Sequence, residues 1–176
     1  LGLLDLSATR LAEAEAALHG AGALTLAYAG DVSREEFVAA SVADFAQRTG
    51  GLDVMVNNAG VAVAGAIEAT PAADWRWITD INLFGVVWGC QAALAHMRPA
   101  GAGLLLNTAS SAGFAAAPRM SAYNANSSEY LETVHAPVSG GQPLVYTTTL
   151  ADPGQWALVT ASGGLRTNPE FHCEIA

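Results

Sequence analysis

The stretch LDVMVNNAG, residues 52–60, decides how the rest of this chain is read. Its front is a short, mostly apolar run, the pattern of a parallel strand buried on both faces. It stops on Asn57, Asn58, Ala59 and Gly60. Small residues directly after a strand let a ligand approach the backbone closely. Taken alone, however, Asn-Ala-Gly is more often only a tight turn.

Runs of the same kind lie on both sides. LGLLDL (1–6) is apolar and ends near an acid, LTLAYA (24–29) alternates, and GLLLNTAS (103–110) gives a fourth strand. Helical patterns separate them. Ser7 caps a helix reaching His19, with Leu11, Ala14 and Leu18 on one face. SREE (33–36) reads as a capping box in which Ser33 and Glu36 satisfy each other's amides. The helix behind it turns Phe37, Val38, Val42 and Phe45 inward and ends near Gly50-Gly51. Thr70-Pro71 opens a long helical region carrying Trp75, Ile78, Ile81 and Val86, which reaches about Met97 before Pro99. Further on, the pattern predicts a helix over 125–135, a loop at Ser139-Gly140-Gly141, and strands over 144–150 and 156–160. Strands alternating with helices predict an α/β fold: a Rossmann-like doubly wound parallel sheet covered on both faces. No composition break marks a second domain, so 1–176 reads as one.

Composition narrows the partners. Hydrophobic residues make up 52% and charged residues 13%, against roughly 25% charged in an average soluble domain. So lean a surface favours an oligomer or a large buried sheet. The formal charge of −9 repels a phosphate backbone and excludes nucleic acid as the main partner. Cys90 and Cys173 form no disulfide framework, which suits a reducing compartment. The longest apolar stretch, 83–97, is interrupted by Gln91 and His96; it falls short of the roughly 18 residues of a spanning helix. With no leader-like segment at its amino end, the chain reads as a soluble cytoplasmic protein with no membrane partner. His19, His96, His135 and His172 are scattered without ligand spacing, so no metal site is argued. All seven basic residues are arginines, and the chain contains no lysine.

In doubly wound folds the ligand lies at the carboxyl ends of the strands, and the polar signals here sit at those ends. Asp5 closes the first strand, Asp31-Val32 follow the second, Asn57 to Gly60 the third, and Ser110 the fourth. In this order and spacing GDVS, NNAG, INLFG, NTASSAG and the tyrosine of AYNA resemble the short-chain dehydrogenase/reductase family. The match is dense over 3–125, about two thirds of the chain. The resemblance implies roles position by position. Asp5 would hold the adenosine ribose and favour NAD over NADP. Asp31 and Val32 would flank the adenine, and Asn57, Asn58, Ala59 and Gly60 would line the cofactor cleft. Ser110 would hydrogen-bond the substrate oxygen, Tyr123 would be the general acid/base, and Asn82 would help a proton relay through water. Pro153-Gly154 stand about where the family places a Pro-Gly after its sixth strand. The implied activity is hydride transfer between NAD and a small alcohol or ketone. The implied assembly is a homo-oligomer, a dimer or tetramer, with the helices around 72–98 and after Tyr123 building its interface.

Two departures qualify that activity. The family's Tyr-x-x-x-Lys is here Tyr123-x-x-x-Ser127. The lysine charge would favour the phenolate, and a free tyrosine titrates near about 10, so dehydrogenase turnover is expected to be weak or absent. The alternatives are a non-catalytic nucleotide-binding member and a purely structural oligomerisation subunit. Secondly, the first strand and its Thr-Gly-x-x-x-Gly-x-Gly turn are not found at the front, so the domain reads as incomplete. ALVTASGGL (157–165) resembles that strand and turn, which leaves open a circularly permuted arrangement beside a diverged continuation.

Overall fold

The computed structural model describes residues 1–113, 115–127, 136–138 and 142–144. Strands β1 (Gly2–Asp5), β2 (Leu26–Ala29), β3 (Val54–Asn57) and β4 (Leu104–Asn107) alternate with helices α1 (Ala8–Gly20), α2 (Glu35–Thr49), α3 (Ala72–Thr79) and α4 (Gly85–Ala100). A short α5 (Ser121–Ser127) follows, then β5 (Ala136–Val138) and β6 (Gln142–Leu144). The expected α/β class with parallel strands is present. β1 pairs with β2 from Gly2–Leu26 to Asp5–Ala29, and β3 pairs with β4 from Val54–Leu104 to Asn57–Asn107.

Among the described residues the sheet is divided, as expected for a chain in which the family's first strand is not found. It stands as two parallel pairs flanking a cavity of about 570 Å³, lined by Gly2 and Leu4 of β1 and by Val54 and Val56 of β3. Val54 and Val56 are 46% and 55% exposed, unusual for a strand whose sequence reads as buried on both faces. β5 and β6 were not anticipated either; they pair antiparallel, from Ala136–Leu144 to Val138–Gln142. The expected helix over 125–135 starts earlier, at Ser121. Residues 128–135, 145–150 and 156–160 lie outside the described part.

The long helix behaves differently from its sequence pattern. α3 and α4 are joined by a wide π-helical turn, Asp80–Phe84. Together they run to Ala100 with Pro99 inside the last turn. A proline there deletes a single backbone bond next to carbonyls that already lack helical partners. Gly101, at φ 68°, closes the end in the left-handed region. By length and composition alone Ala72–Ala100, 29 residues, would suffice to cross a membrane, which the broken stretch 83–97 did not suggest. One face of it packs into the core. Ile78, Ala93 and Met97 are fully buried, and α4 lies against α2 and β3. Ala93 and Met97 form one cluster with Val86, Cys90, Leu94 and Leu105.

Gly89 is what lets α4 come so close to β3. A Cβ there would overlap the Asn57 amide and sit 3.0 Å from Met55 Cε. The amide is buried and hydrogen-bonded, so it has little room to yield. Gly89→Ala is expected to lower unfolding free energy by about 1–3 kcal/mol in denaturant titration. A loss confined to a few tenths would show that the helix rides over the strand freely.

Candidate active site

The carboxyl ends of β1, β2 and β3 open into the same cavity. Asp5, Arg10, Asp31, Val32 and Asn57 to Gly60 all line it. Asp5 is held from one side. Its Oδ1 accepts from the Ser7 amide at 2.7 Å, from Arg10 Nη2 at 2.8 Å and from Arg10 Nε at 3.2 Å. Among the described residues no donor reaches Oδ2. The Ser7 amide first, and the Arg10 guanidinium second, keep this carboxyl below its ordinary range. Asp31 closes a turn by accepting the Ser33 amide at 2.9 Å. That contact replaces the expected capping box, because α2 starts at Glu35 with Arg34 at its cap and no side-chain bond there. Val32 packs beside Gly85, whose absent Cβ would lie 3.3 Å from Val32 Cγ2.

The NNAG turn divides into structural and open halves. Asn57 is buried and donates from Nδ2 to Asn107 Oδ1 at 2.8 Å and to Cys90 Sγ at 3.4 Å, tying β3 to β4 and α4. Burial pushes the Cys90 thiol up, so it stays protonated and inert. Asn58 accepts from Thr108 Oγ1 at 3.0 Å. Ala59 and Gly60 remain exposed toward the cavity. Asn82, in the π-helical turn, clamps the end of this loop. Its Oδ1 accepts the Val61 amide at 2.8 Å and its Nδ2 donates to the Val61 carbonyl at 2.9 Å. Sequence reasoning assigned Asn82 a relay and missed this clamp, since nothing in a 21-residue separation announces it.

Ser110 follows β4 and is half-buried. Its Oγ accepts the Ala112 amide at 3.2 Å, which leaves the hydroxyl proton available to donate. Tyr123 sits half-buried on α5. α5 packs on the turn Ser111–Gly113, on α3 and on the π-helical turn, so the helix bearing Tyr123 adjoins both the turn that carries Asn82 and the one that follows Ser110. Asn124 fixes the approach by donating to the Ala117 carbonyl at 2.9 Å. At the fourth position after the tyrosine, Ser127 Oγ donates back to the Tyr123 carbonyl at 2.7 Å. The side chain is turned onto its own helix, a pattern common for serine, and brings no charge. Pro153 and Gly154 lie outside the described residues.

The donor set fits the nucleoside half of a nicotinamide dinucleotide: an ionised carboxylate with one open oxygen, and a turn of small residues beyond it. Arg10 is the one basic side chain among the cavity-lining residues, and no glycine-rich turn for a diphosphate stands among the described ones.

Residues 1–127 match the model of the short chain dehydrogenase family, and the chain belongs to that family. Over 133 residues it is 37% identical to the 2-(R)-hydroxypropyl-CoM dehydrogenase of Xanthobacter autotrophicus, covering 73% of this chain and 53% of that protein. An NAD+-bound xylitol dehydrogenase structure superposes with a TM-score of 0.69 at 30% identity, over 72% of this chain and 49% of the other. A gluconate 5-dehydrogenase of Burkholderia cenocepacia in complex with NADP and tartrate gives 0.67 at 28%, over 72% and 50%. The chain thus spans about half the length of these dehydrogenases. Residues 114–176 match a second model, the Rv2576c beta-sandwich domain. A 58-residue stretch is 72% identical to protein Rv2576c of Mycobacterium tuberculosis, 33% of this chain and 38% of that one.

Two outcomes follow from the geometry. Asn82→Ala removes both bonds to Val61, a loss of about 1–2 kcal/mol. Hydrogen exchange should then show the Val61 amide losing protection before the helices do. The Asp5 carboxyl titrates lower in the folded chain than its ordinary 3.8. Its stabilising contribution is therefore complete above that value and is lost as pH falls through the folded one. Asp5→Asn should flatten the acid limb of the stability profile below that pH and leave the neutral plateau's slope unchanged.

Proposed function

We propose that this chain binds a nicotinamide dinucleotide, with NAD favoured, and is built for hydride transfer to or from a small alcohol or ketone at an impaired rate. One observation carries the proposal: a cleft at the strand ends holds Asp5, while α5, the helix that bears Tyr123, packs on the turn Ser111–Gly113 that follows Ser110. The cofactor, when bound, would supply the hydride. Asp5 Oδ2 would accept a ribose hydroxyl, Ser110 would donate to the substrate oxygen, and Tyr123 would exchange the proton. The impairment rests on Ser127, whose neutral hydroxyl stands bonded to the backbone where the family's cation would favour phenolate. Exposed Trp77 and the stacked pair Phe84–Trp88, with centroids 5.6 Å apart, support pairing between copies along the helix Ala72–Ala100. A cytoplasmic setting agrees with the redox inference from the cysteines.

A second reading, a nucleotide-binding member that turns nothing over, is favoured by the second family match, which begins at residue 114, ahead of Tyr123. Calorimetry with NAD and steady-state assays over short secondary alcohols separate the two. The expected result is binding with turnover far below about 1 per second. In Ser127→Lys turnover should rise by roughly 100-fold, the lower end of what a positioned proton-transfer group supplies. Ordinary turnover in the unmodified chain would defeat the impairment. Binding with none in Ser127→Lys would favour the second reading.

A further inference from the structure

We infer that Asn124 is a positioning residue of this site. By bracketing the Ala117 backbone it holds the segment between Ser110 and Tyr123 in one shape, and so sets where their two hydroxyls stand. The inference rests on the hydride-transfer reading above. Ser110 and Tyr123 lie on one stretch of chain, and between them the described residues form a single short helical turn, Ser111–Gly113, before α5 begins at Ser121. The separation of the hydroxyls is therefore decided by how the irregular residues 115–120 are held.

They are pinned at successive points. The Ala115 amide donates to the Ser111 carbonyl at 2.9 Å. The Asn124 side chain closes a two-bond ring on Ala117, its Oδ1 accepting that amide at 3.3 Å and its Nδ2 donating to that carbonyl at 2.9 Å. The Gly65 amide donates to the Arg119 carbonyl at 2.7 Å, beside a parallel bridge from Gly65 to Met120. The backbone is strained at this last pin. Arg119, at φ 61°, is the one non-glycine residue in the left-handed region among the described residues. Such a residue persists only where its surroundings over-determine it, and strain of this kind gathers at functional sites. Gly65 belongs to the segment after the NNAG turn, whose start Asn82 grips at Val61. The two segments are thus fastened by the same device, an asparagine amide on one residue's N–H and C=O, and tied together through Gly65.

Asn124 acts through the backbone and not on the substrate. Consecutive residues of a helix do not share a face, so an amide committed to Ala117 leaves Tyr123 facing another way. An amide suits the task because it offers a donor and an acceptor side by side, whereas a carboxylate offers no donor.

Two readouts test the assignment. The first is fluorine NMR of the full chain carrying 3-fluorotyrosine, with the Tyr123 line assigned through Tyr123→Phe. One sharp Tyr123 resonance is expected, which Asn124→Ala splits or broadens while the line of Tyr28, on β2, stays put. The second is steady-state kinetics of the full chain bearing Ser127→Lys, with NAD and short secondary alcohols from 2-propanol to 2-octanol. Added to it, Asn124→Ala should lower kcat by about 10- to 100-fold, on the order of what a small misplacement of reacting groups costs. KM for the alcohol and for NAD should stay within about twofold. A merely structural clamp would reduce the folded fraction and leave kcat per folded molecule unmoved. Asn124→Asp, which still accepts the Ala117 amide, should recover part of the loss, and serves as the readout if the alanine variant folds poorly. An unchanged Tyr123 resonance, or an unchanged kcat, would overturn the assignment while leaving the hydride-transfer reading intact. Absence of turnover in Ser127→Lys itself would overturn both.

Discussion

The contact between Gly89 on α4 and the Asn57 amide on β3 is the constraint on which the rest of the described structure depends. With no side chain at 89, the helix sinks onto the strand, and Asn57 can link Asn107 and Cys90 from the same buried point. That fixes where the other end of the helix Ala72–Ala100 lies. From there Asn82 grips the loop after β3, and α5 docks on the π-helical turn and on α3. The open half of the NNAG turn and the tyrosine helix are therefore positioned by one close approach in the core. Close packing transmits such placement because interiors deform little.

Much of this was legible in the chain. Four strand runs, the Ser7 cap and the Gly50 stop each rest on local chemistry, and local chemistry is what sequence displays. The polar residues at the strand ends were legible for the same reason. The uses of the Asn82 and Asn57 side chains were not, because both depend on partners 21 to 50 residues away. SREE misled by offering a capping box where the nearer Asp31 carboxylate took the Ser33 amide first. Pro99 misled because a proline ends a helical pattern on paper, yet costs little one turn from a real end. The antiparallel β5–β6 pair had a signal in Ser139-Gly140-Gly141 between two short runs, overshadowed by the expectation of a parallel sheet.

Tyr123 occupies a place where two family likenesses overlap, since one match ends at Ser127 and the other begins at residue 114. The hydroxyl of Ser127, bonded back to the tyrosine's own carbonyl, is the local face of that overlap. It shows how a single side chain can keep the shape of a helix while withdrawing the charge that its site would use. Shape and charge are separable here, because helix geometry asks only for a tolerable side chain, whereas proton transfer asks for a particular field.

The two parallel pairs carry a colloidal consequence. Among the described residues, β1 and β3 each present an unpaired row of amides and carbonyls toward one cavity, bordered by exposed Val54 and Val56. Open edges of this kind are templates on which other extended segments add, and neither is blunted by a proline, a bulge or a lysine. At high protein concentration such edges make self-templating a competitor of folding.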